Sequence, residues 1–458
     1  MKGVFVVGAG PAGMFAARRL ALAGYDVCVF NRDIRPGGLA QYGIYPLKTK
    51  MKSGLRKQFE QALALPNVHY FGHVQIGESY DLTLAELESF RPAAILFASG
   101  AQGAKKLGLP GENAYGVYAA KDFVYHYNQL ESHANRDFTT HRHIAVVGVG
   151  NVAIDVARWL LEDKPAKHTQ SVVIVARRGP LDVKFDAKEI EHVEPYISRK
   201  ELVAELERVR VQCARAGQEF VPETVIAKHF PHLELEGSEP AVPRLRFRFL
   251  SSPKAFVPNQ EGRVRQLVLA ENDLVQNPDG SFSACGTAEQ AVLDVDTVLF
   301  AIGDRHDPGI GLPMGPEGFA VKPAEGSDAA SYEVWDPAEA CVHPGRFVMG
   351  WARRASTGLA GLARHDGEAG ADHALAYLSS VADPGTLSAQ QIRERIAAKG
   401  IRVVDKEELR LLARAEERRG QVDAPNSFHL IEEEAMFQAI DEERAQQAME
   451  VQQAEQLS

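Results

Sequence analysis

The apolar positions of this chain fall into short continuous runs, and most of those runs end on glycine. Gly3-Val4-Phe5-Val6-Val7-Gly8 is the first. Residues 11–23, rich in Ala, Arg and Leu, follow it with a helical pattern, and Asp26-Val27-Cys28-Val29-Phe30 is the next run. A short apolar run bounded by turn residues reads as a strand buried on both faces, so the start of the chain predicts a βαβ unit with parallel strands. The layout recurs with a strand at 143–147, a helix at 153–161 and a strand at 171–176. Further runs close on Gly100, Gly303 and Gly350. Residues 242–270 differ. Arg244-Leu245-Arg246-Phe247-Arg248-Phe249-Leu250 alternates polar and apolar, which predicts a half-buried antiparallel strand with its arginines turned to solvent. Residues 385–450 read as helices with a loop near Pro425.

Composition narrows the class. The chain has 458 residues, 45% hydrophobic and 24% charged, as expected of a globular protein with ample core. No apolar stretch approaches the roughly 18 residues of a membrane span, and Met1–Val7 breaks into glycines too early for a signal-peptide core. The net charge is −10. Residues 432–458 hold eight acids against Arg444 alone, so the tail stands at −7 and the body at −3. That balance argues against general nucleic-acid binding, and the tail reads as a solvated helix. The four cysteines (Cys28, Cys213, Cys285 and Cys341) form no C-x-x-C, which excludes a zinc knuckle, an iron–sulfur run and a dithiol pair; a reducing cytoplasm is expected.

The chemistry sits where the runs end. Gly8-Ala9-Gly10-Pro11-Ala12-Gly13 lies between predicted strand and predicted helix. There Gly8 permits the turn, Gly10 lets the backbone approach a pyrophosphate, and Gly13 lets helix and strand pack closely. The helix N-terminus adds N–H donors and positive dipole. The second strand should end in an acid for the ribose; here Asn31 stands, whose amide is expected to take that hydroxyl contact. The second motif is Gly148-Val149-Gly150-Asn151-Val152-Ala153, and its following strand ends in Arg177-Arg178-Gly179-Pro180. Two guanidiniums there favour a 2′-phosphate over a free hydroxyl. The first site therefore reads as FAD and the second as NADPH. Lys48, Lys50, Lys52, Arg56 and Lys57 form a basic cluster that reads either as a solvated helix face or as a steering patch for an acidic protein.

With these residues in view, the chain resembles the adrenodoxin reductase-type ferredoxin–NADP(+) reductases, within the two-dinucleotide-binding flavoproteins. Leu109-Pro110-Gly111-Glu112, Gly116-Val117, Phe123-Val124 and Tyr127-Asn128 are similar to that family's interdomain stretch. Gly148 to Arg158 and Arg177 to Pro180 are similar to its NADPH site. Gly350-Trp351, Arg353-Arg354 and Thr357-Gly358 are similar to its flavin stretch, and Gly400-Ile401 more loosely to its terminal helices. Gly37-Gly38-Leu39-Ala40-Gln41-Tyr42-Gly43-Ile44 looks like the flavin loop of the glutamate synthase small subunit.

The resemblance implies an α/β fold of two Rossmann-like domains, the NADP domain inserted into the FAD domain, with a helical C-terminal segment. The expected boundaries are 1–108 and 307–458 for FAD and 109–306 for NADP. FAD would meet Gly8, Gly10, Pro11, Ala12, Gly13, Asn31, Gly38, Leu39, Tyr42, Gly43, Gly100, Gly350, Trp351 and Gly358. NADPH would meet Gly148, Gly150, Asn151, Val152, Arg177, Arg178 and Glu189, with Glu189 near the nicotinamide. Asp155 matches the family's proton route, but the chain reads Pro46-Leu47-Lys48-Thr49-Lys50 where the family has a histidine. The implied activity is hydride transfer from NADPH to FAD, then single-electron transfer to a ferredoxin or other iron–sulfur protein. Alternatives are an NADPH-oxidising flavoprotein subunit of a glutamate synthase-like complex, or a reductase of a small-molecule acceptor.

Overall fold

Apolar runs closed by glycine become strands whose C-terminal ends turn directly into loops. A computed structural model shows this for residues 1–162, 168–316, 318–323, 331–354, 360–423 and 429–457, which are the described residues. In chain order the strands used below are β1 (Gly3–Val7), β2 (Asp26–Asn31), β3 (Val68–Gly72), β4 (Ala94–Phe97), β5 (Val117–Ala119), β6 (His143–Val147) and β7 (Ser171–Val175). They continue with β8 (Arg244–Arg248), β9 (Ser251–Pro258), β10 (Val264–Gln276), β11 (Phe282–Asp294), β12 (Thr297–Phe300), β13 (Glu333–Asp336) and β14 (Cys341–Val348). The helices used are α1 (Pro11–Leu22), α2 (Thr49–Leu63), α3 (Asn151–Glu162), α4 (Ala360–Ser380), α5 (Lys406–Asp423) and α6 (Glu433–Leu457).

The chain divides into two compact units, and the first comprises residues 1–103, 127–134 and 304–458. Among its described residues the strands form a six-stranded sheet in the order β13-β14-β4-β1-β2-β3, parallel except for the β13–β14 pair. Alternate side chains of β1 divide between the two faces. Val4 and Val6 join a core with Met14, Phe15 and Leu20 of α1, Phe59 of α2, and Ala371, Ala374 and Leu378 of α4. Phe5 and Val7 join Phe30, Phe71, Phe97, Ile392 and Ile396 on the other face. There Phe5 meets Phe30 edge-on at 5.3 Å and Phe30 stacks on Phe71 at 4.9 Å.

The helical C-terminus belongs to this unit. Leu411, Leu412 and Ala415 of α5 pack against Met436, Ala439 and Ile440 of α6, over Ile34 and Val404. The acidic tail is therefore only partly the solvated helix expected. Its first turns are anchored by that apolar seam and by arginine partners, Arg402–Asp441 at 2.7 Å and Arg419–Glu442 at 3.1 Å among them. Residues 445–453 are exposed. The loop expected near Pro425 lies outside the described residues.

The second unit comprises residues 104–126 and 135–303. Among its described residues, five parallel strands run in the order β5-β12-β6-β7-β8, beside a three-stranded antiparallel sheet β9-β10-β11. The alternating arginine stretch corrects the sequence reading. It forms β8, which pairs parallel with β7 from Ser171↔Arg244 to Val175↔Arg248. Alternation reports that one face of the strand is better buried than the other and does not report the direction of its neighbour. Leu245 and Phe247 are buried. Of the arginines, Arg244 is exposed, whereas Arg248 pairs with Glu271 and lies 3.5 Å from Glu205. Arg208 joins the same group, bound to Glu205 at 2.6 Å and Glu271 at 3.0 Å.

Candidate dinucleotide sites

The first glycine motif forms a cradle at the end of β1. Gly8 has φ +106°, and a Cβ there would lie 2.5 Å from the Ala98 carbonyl oxygen. A Cβ on Gly13 would lie 1.9 Å from the Gly8 carbonyl oxygen, whereas one on Gly10 would meet no atom within 4 Å. The three glycines thus divide as turn, open approach and close packing, the arrangement a pyrophosphate needs. Gly10 is the N-cap of α1, without a side-chain cap and with no acid in the first turn; Pro11 occupies the first helical position. Pro11 removes a donor that the helix does not use, and the following N–H groups remain for an anion.

The neighbouring loops are built onto this cradle. The Gly37 N–H donates to the Ala9 carbonyl at 2.7 Å, and a Cβ on Gly38 would sit 3.4 Å from the Gly10 Cα. Leu39–Tyr42 is one helical turn with Tyr42 buried, and a Cβ on Gly43 would lie 2.6 Å from Leu39 Cδ2. Gly100 turns the chain after β4 at φ +69°.

Asn31 has a different role from the ribose contact expected of it. Its Oδ1 accepts from the Ala9 N–H at 3.0 Å, and its Nδ2 donates to the Asp33 and Arg35 carbonyls at 2.8 and 2.9 Å. The Tyr70 hydroxyl also lies 3.0 Å from Nδ2. With both amide hydrogens committed, this side chain braces the glycine loop from behind.

Gly350 reaches the same cradle. It has φ +62°, and a Cβ there would lie 2.5 Å from that of Ala12. Its N–H donates to Asp366 at 2.5 Å. Asp366 also accepts from the Tyr332 hydroxyl at 3.1 Å and from the Arg353 guanidinium. Arg353 is buried and sits 4.3 Å over the Tyr332 ring. Burial, reinforced by the Asp366 charge, pushes the Tyr332 hydroxyl pKa up. The Trp351 carbonyl is 2.7 Å from His306 Nε2. Sequence motifs give no sign of these partners, because Asp366 and His306 act on the Gly350-Trp351 backbone, and Tyr332 on Asp366 and Arg353, from other parts of the chain. Gly358 and Thr357 lie outside the described residues. Asp366→Ala should leave Arg353 as an uncompensated buried charge and lower stability by about 3 kcal/mol. Denaturant unfolding checks this; an unchanged midpoint would show that Arg353 does not depend on Asp366.

The second cradle repeats the first. Gly148 has φ +126°, and a Cβ there would lie 2.2 Å from the Ala301 carbonyl oxygen; one on Gly150 would meet nothing within 4 Å. Ala153, the third position, is fully buried. The Asn151 side chain donates to Asp186 Oδ2 and accepts from the Asp186 N–H, both at 2.8 Å, and the Lys184 N–H donates to the Val149 carbonyl at 3.0 Å. Asn151 thereby clamps the 184–186 strap across the glycine loop. Val152 is exposed, Asp155 is half-buried on α3, and Glu189 is half-buried on the short helix Ala187–Ile190. Arg177 and Arg178 are exposed just beyond β7, where they line a cavity of about 480 Å³ together with Asp182, Gln218 and the tip of the β10–β11 hairpin.

The chain as a whole is similar to known proteins. A family model described as pyridine nucleotide-disulphide oxidoreductase matches residues 2–218. NADPH-ferredoxin reductase FprA of Mycobacterium tuberculosis (strain ATCC 25618 / H37Rv) is 31% identical, over 80% of this chain and 81% of that protein. The chain belongs to the adrenodoxin reductase-type ferredoxin reductase family. FprA of Mycobacterium leprae is 29% identical over 91% of this chain and 94% of its own length. The mitochondrial NADPH:adrenodoxin oxidoreductase of Arabidopsis thaliana is 29% identical over 78% of each chain. The structure of M. tuberculosis FprA in complex with NADPH matches with a TM-score of 0.79 at 27% identity, covering 96% of this chain and 99% of that one. Family membership makes the chain an oxidoreductase. The disulphide in the matched model's description has no counterpart here, because all four cysteines are unpaired thiols distant in sequence. Among the described residues no helix is long and apolar enough to cross a membrane.

Proposed function

We propose that this chain oxidises NADPH through FAD and passes the electrons singly to a ferredoxin-type iron–sulfur protein. The observation that carries the reading is the repeated cradle. In each, the middle glycine faces open space while the first is locked against backbone, and only the second cradle is followed by an arginine pair. FAD belongs to the first unit, held by the backbone of Gly8–Gly13, Gly38–Gly43 and Gly350-Trp351. NADPH belongs to the second, held by Gly148–Val152 and by Arg177 and Arg178, with Glu189 near the nicotinamide and Asp155 on the proton route that the resemblance implies. When bound, FAD supplies a two-electron acceptor that releases electrons one at a time, which suits a hydride donor and one-electron acceptors. The protein contributes position and fixed dipoles: the α1 N-terminus toward the pyrophosphate, and the Asp366-braced Gly350 turn that sets Trp351. Four unpaired cysteines fit a reducing cytoplasm.

The test is anaerobic stopped-flow mixing with NADPH or NADH, then with ferredoxins of the same organism. Rapid flavin bleaching by NADPH and rapid ferredoxin reduction are expected. Bleaching with no transfer to any ferredoxin would move the acceptor to a dedicated complex or a small molecule. No bleaching by either nucleotide would overturn the reading.

Lys50, Arg56 and Lys57 are exposed on α2, with Lys52 half-buried among them, in a chain of net negative charge. This cluster suits an acidic ferredoxin, whose approach it would steer. Lys52 donates to Asn128 Oδ1 at 2.6 Å, and burial, with Arg56 adding repulsion, lowers its pKa from 10.5 to about 8. Above about pH 8 the folded chain therefore loses one of these charges, and the ferredoxin association rate should fall there. In Lys52→Met that step should be absent; an identical pH profile would place the partner elsewhere. The stability effect has the opposite sign. Between about pH 8 and 10.5 the unfolded chain holds a proton that the folded chain has released, so this group's contribution to stability rises with pH across that window.

A further inference from the structure

We propose that the β10–β11 hairpin forms the adenine wall of the nucleotide cavity, with Phe282 as the ring that covers the base. The proposal rests on the NADPH reading and deepens it. Arg177 and Arg178 account for an anion, but the cavity they line is about 480 Å³, far more than a phosphate needs. A 2′-phosphoadenosine also carries a flat, uncharged base, which calls for an aromatic or apolar face and a few polar groups at its edge. Among the described residues lining the cavity, Phe282 is the sole aromatic one, and it is half-buried. Asp182 and Gln218, which also line it, offer acceptor oxygens of the kind an exocyclic amine requires.

The hairpin is braced by hydrogen bonds at its tip and midway along its ladder, which helps to hold a binding wall in place. At its tip the Asn277 N–H donates to the Ser281 carbonyl at 2.7 Å, and Asn277 Nδ2 donates to the Ser283 hydroxyl at 2.9 Å. Phe282 pairs across the ladder with Gln276. Midway along it, opposite Gly286, Asn272 is fully buried, and its Nδ2 donates to the Arg177 carbonyl and the Ser252 hydroxyl, both at 2.8 Å. The backbone that carries the first arginine is thus bonded directly to the strand that leads to Phe282. Asn272 is a positioning residue, and it fixes the anion half of the cavity against the base half.

Calorimetric titration of the flavin-loaded protein with 2′,5′-ADP and with 5′-AMP separates the two halves. Stacking serves both probes, so Phe282→Ala should weaken both by the same factor, roughly 5- to 100-fold, and Phe282→Trp should restore them. Arg178→Ala should weaken 2′,5′-ADP alone. Wild-type affinity for both probes in Phe282→Ala would overturn the proposal. So would a loss confined to 2′,5′-ADP, or a failure of Phe282→Trp to restore binding. A wild-type protein that binds 2′,5′-ADP no better than 5′-AMP would instead overturn the NADPH assignment on which the proposal stands.

Discussion

Replacing Arg177 and Arg178 together by alanine should raise the apparent Kd for NADPH by roughly 30- to 1,000-fold and leave NADH within about threefold. The magnitude follows from the chemistry of the pair. A hydrogen bond to a charged group contributes about 1.5–3 kcal/mol, and two that serve one phosphate are not fully additive. Both arginines are exposed, which moves the sum toward the lower part of that range. NADH presents a hydroxyl where NADPH presents a phosphate, so only the phosphate nucleotide loses a partner. Single-turnover flavin reduction at varied nucleotide concentration measures both affinities. Equal losses for NADPH and NADH would mean that the arginines shape the loop rather than read the phosphate. The same titrations at two salt concentrations add a control, because an exposed charge pair should weaken as salt rises.

What was legible in the sequence divides along physical lines. The two βαβ openings were, because a strand buried on both faces must be continuously apolar and a phosphate cradle must be glycine. Both constraints act within about ten residues. The strand–helix–strand run of residues 3–31 and the glycine spacing at residues 148–153 therefore carry their structure openly. Asn31 was misread because the acid position at the end of β2 has a second possible use. Its amide can look outward to a ribose or inward to the loop, and only the placement of Ala9, Asp33 and Arg35 decides between them. The β8 arginines were misread for a similar reason: alternation shows which side of a strand is packed, but parallel pairing with β7 is a long-range fact. Asp366, Tyr332 and Asn272 had no signal at all. Each is a single polar residue whose work is to satisfy backbone or a guanidinium far along the chain, and no local period or spacing encodes that.

The second large effect separates ligand binding from folding within one motif. Gly10→Ala and Gly13→Ala each add one methyl group, three residues apart, yet they should fail in different ways. At position 10 the new Cβ meets no protein atom within 4 Å, and the backbone there is extended, at φ −75° and ψ −176°, which any residue adopts. The flavin-free variant should lose no more than about 1 kcal/mol, the ordinary cost of alanine at an N-cap. The methyl group does occupy the space over the helix N-terminus where the pyrophosphate has to approach, so FAD affinity should fall by roughly 100-fold or more, comparable to losing several charge-assisted contacts. At position 13 the Cβ would sit 1.9 Å from the Gly8 carbonyl oxygen, a backbone atom pinned between β1 and α1. Relief requires α1 to move off a sheet whose core is fully buried, so Gly13→Ala should lose at least about 4 kcal/mol even without flavin. Thermal unfolding of the stripped proteins, followed by FAD titration monitored through flavin fluorescence, reads both quantities on the same samples. A Gly10→Ala protein that keeps wild-type FAD affinity would show that the open face of the first cradle is not where the dinucleotide lies. A Gly13→Ala protein that melts with the wild type would show that the contact between α1 and β1 is looser than a 1.9 Å approach allows.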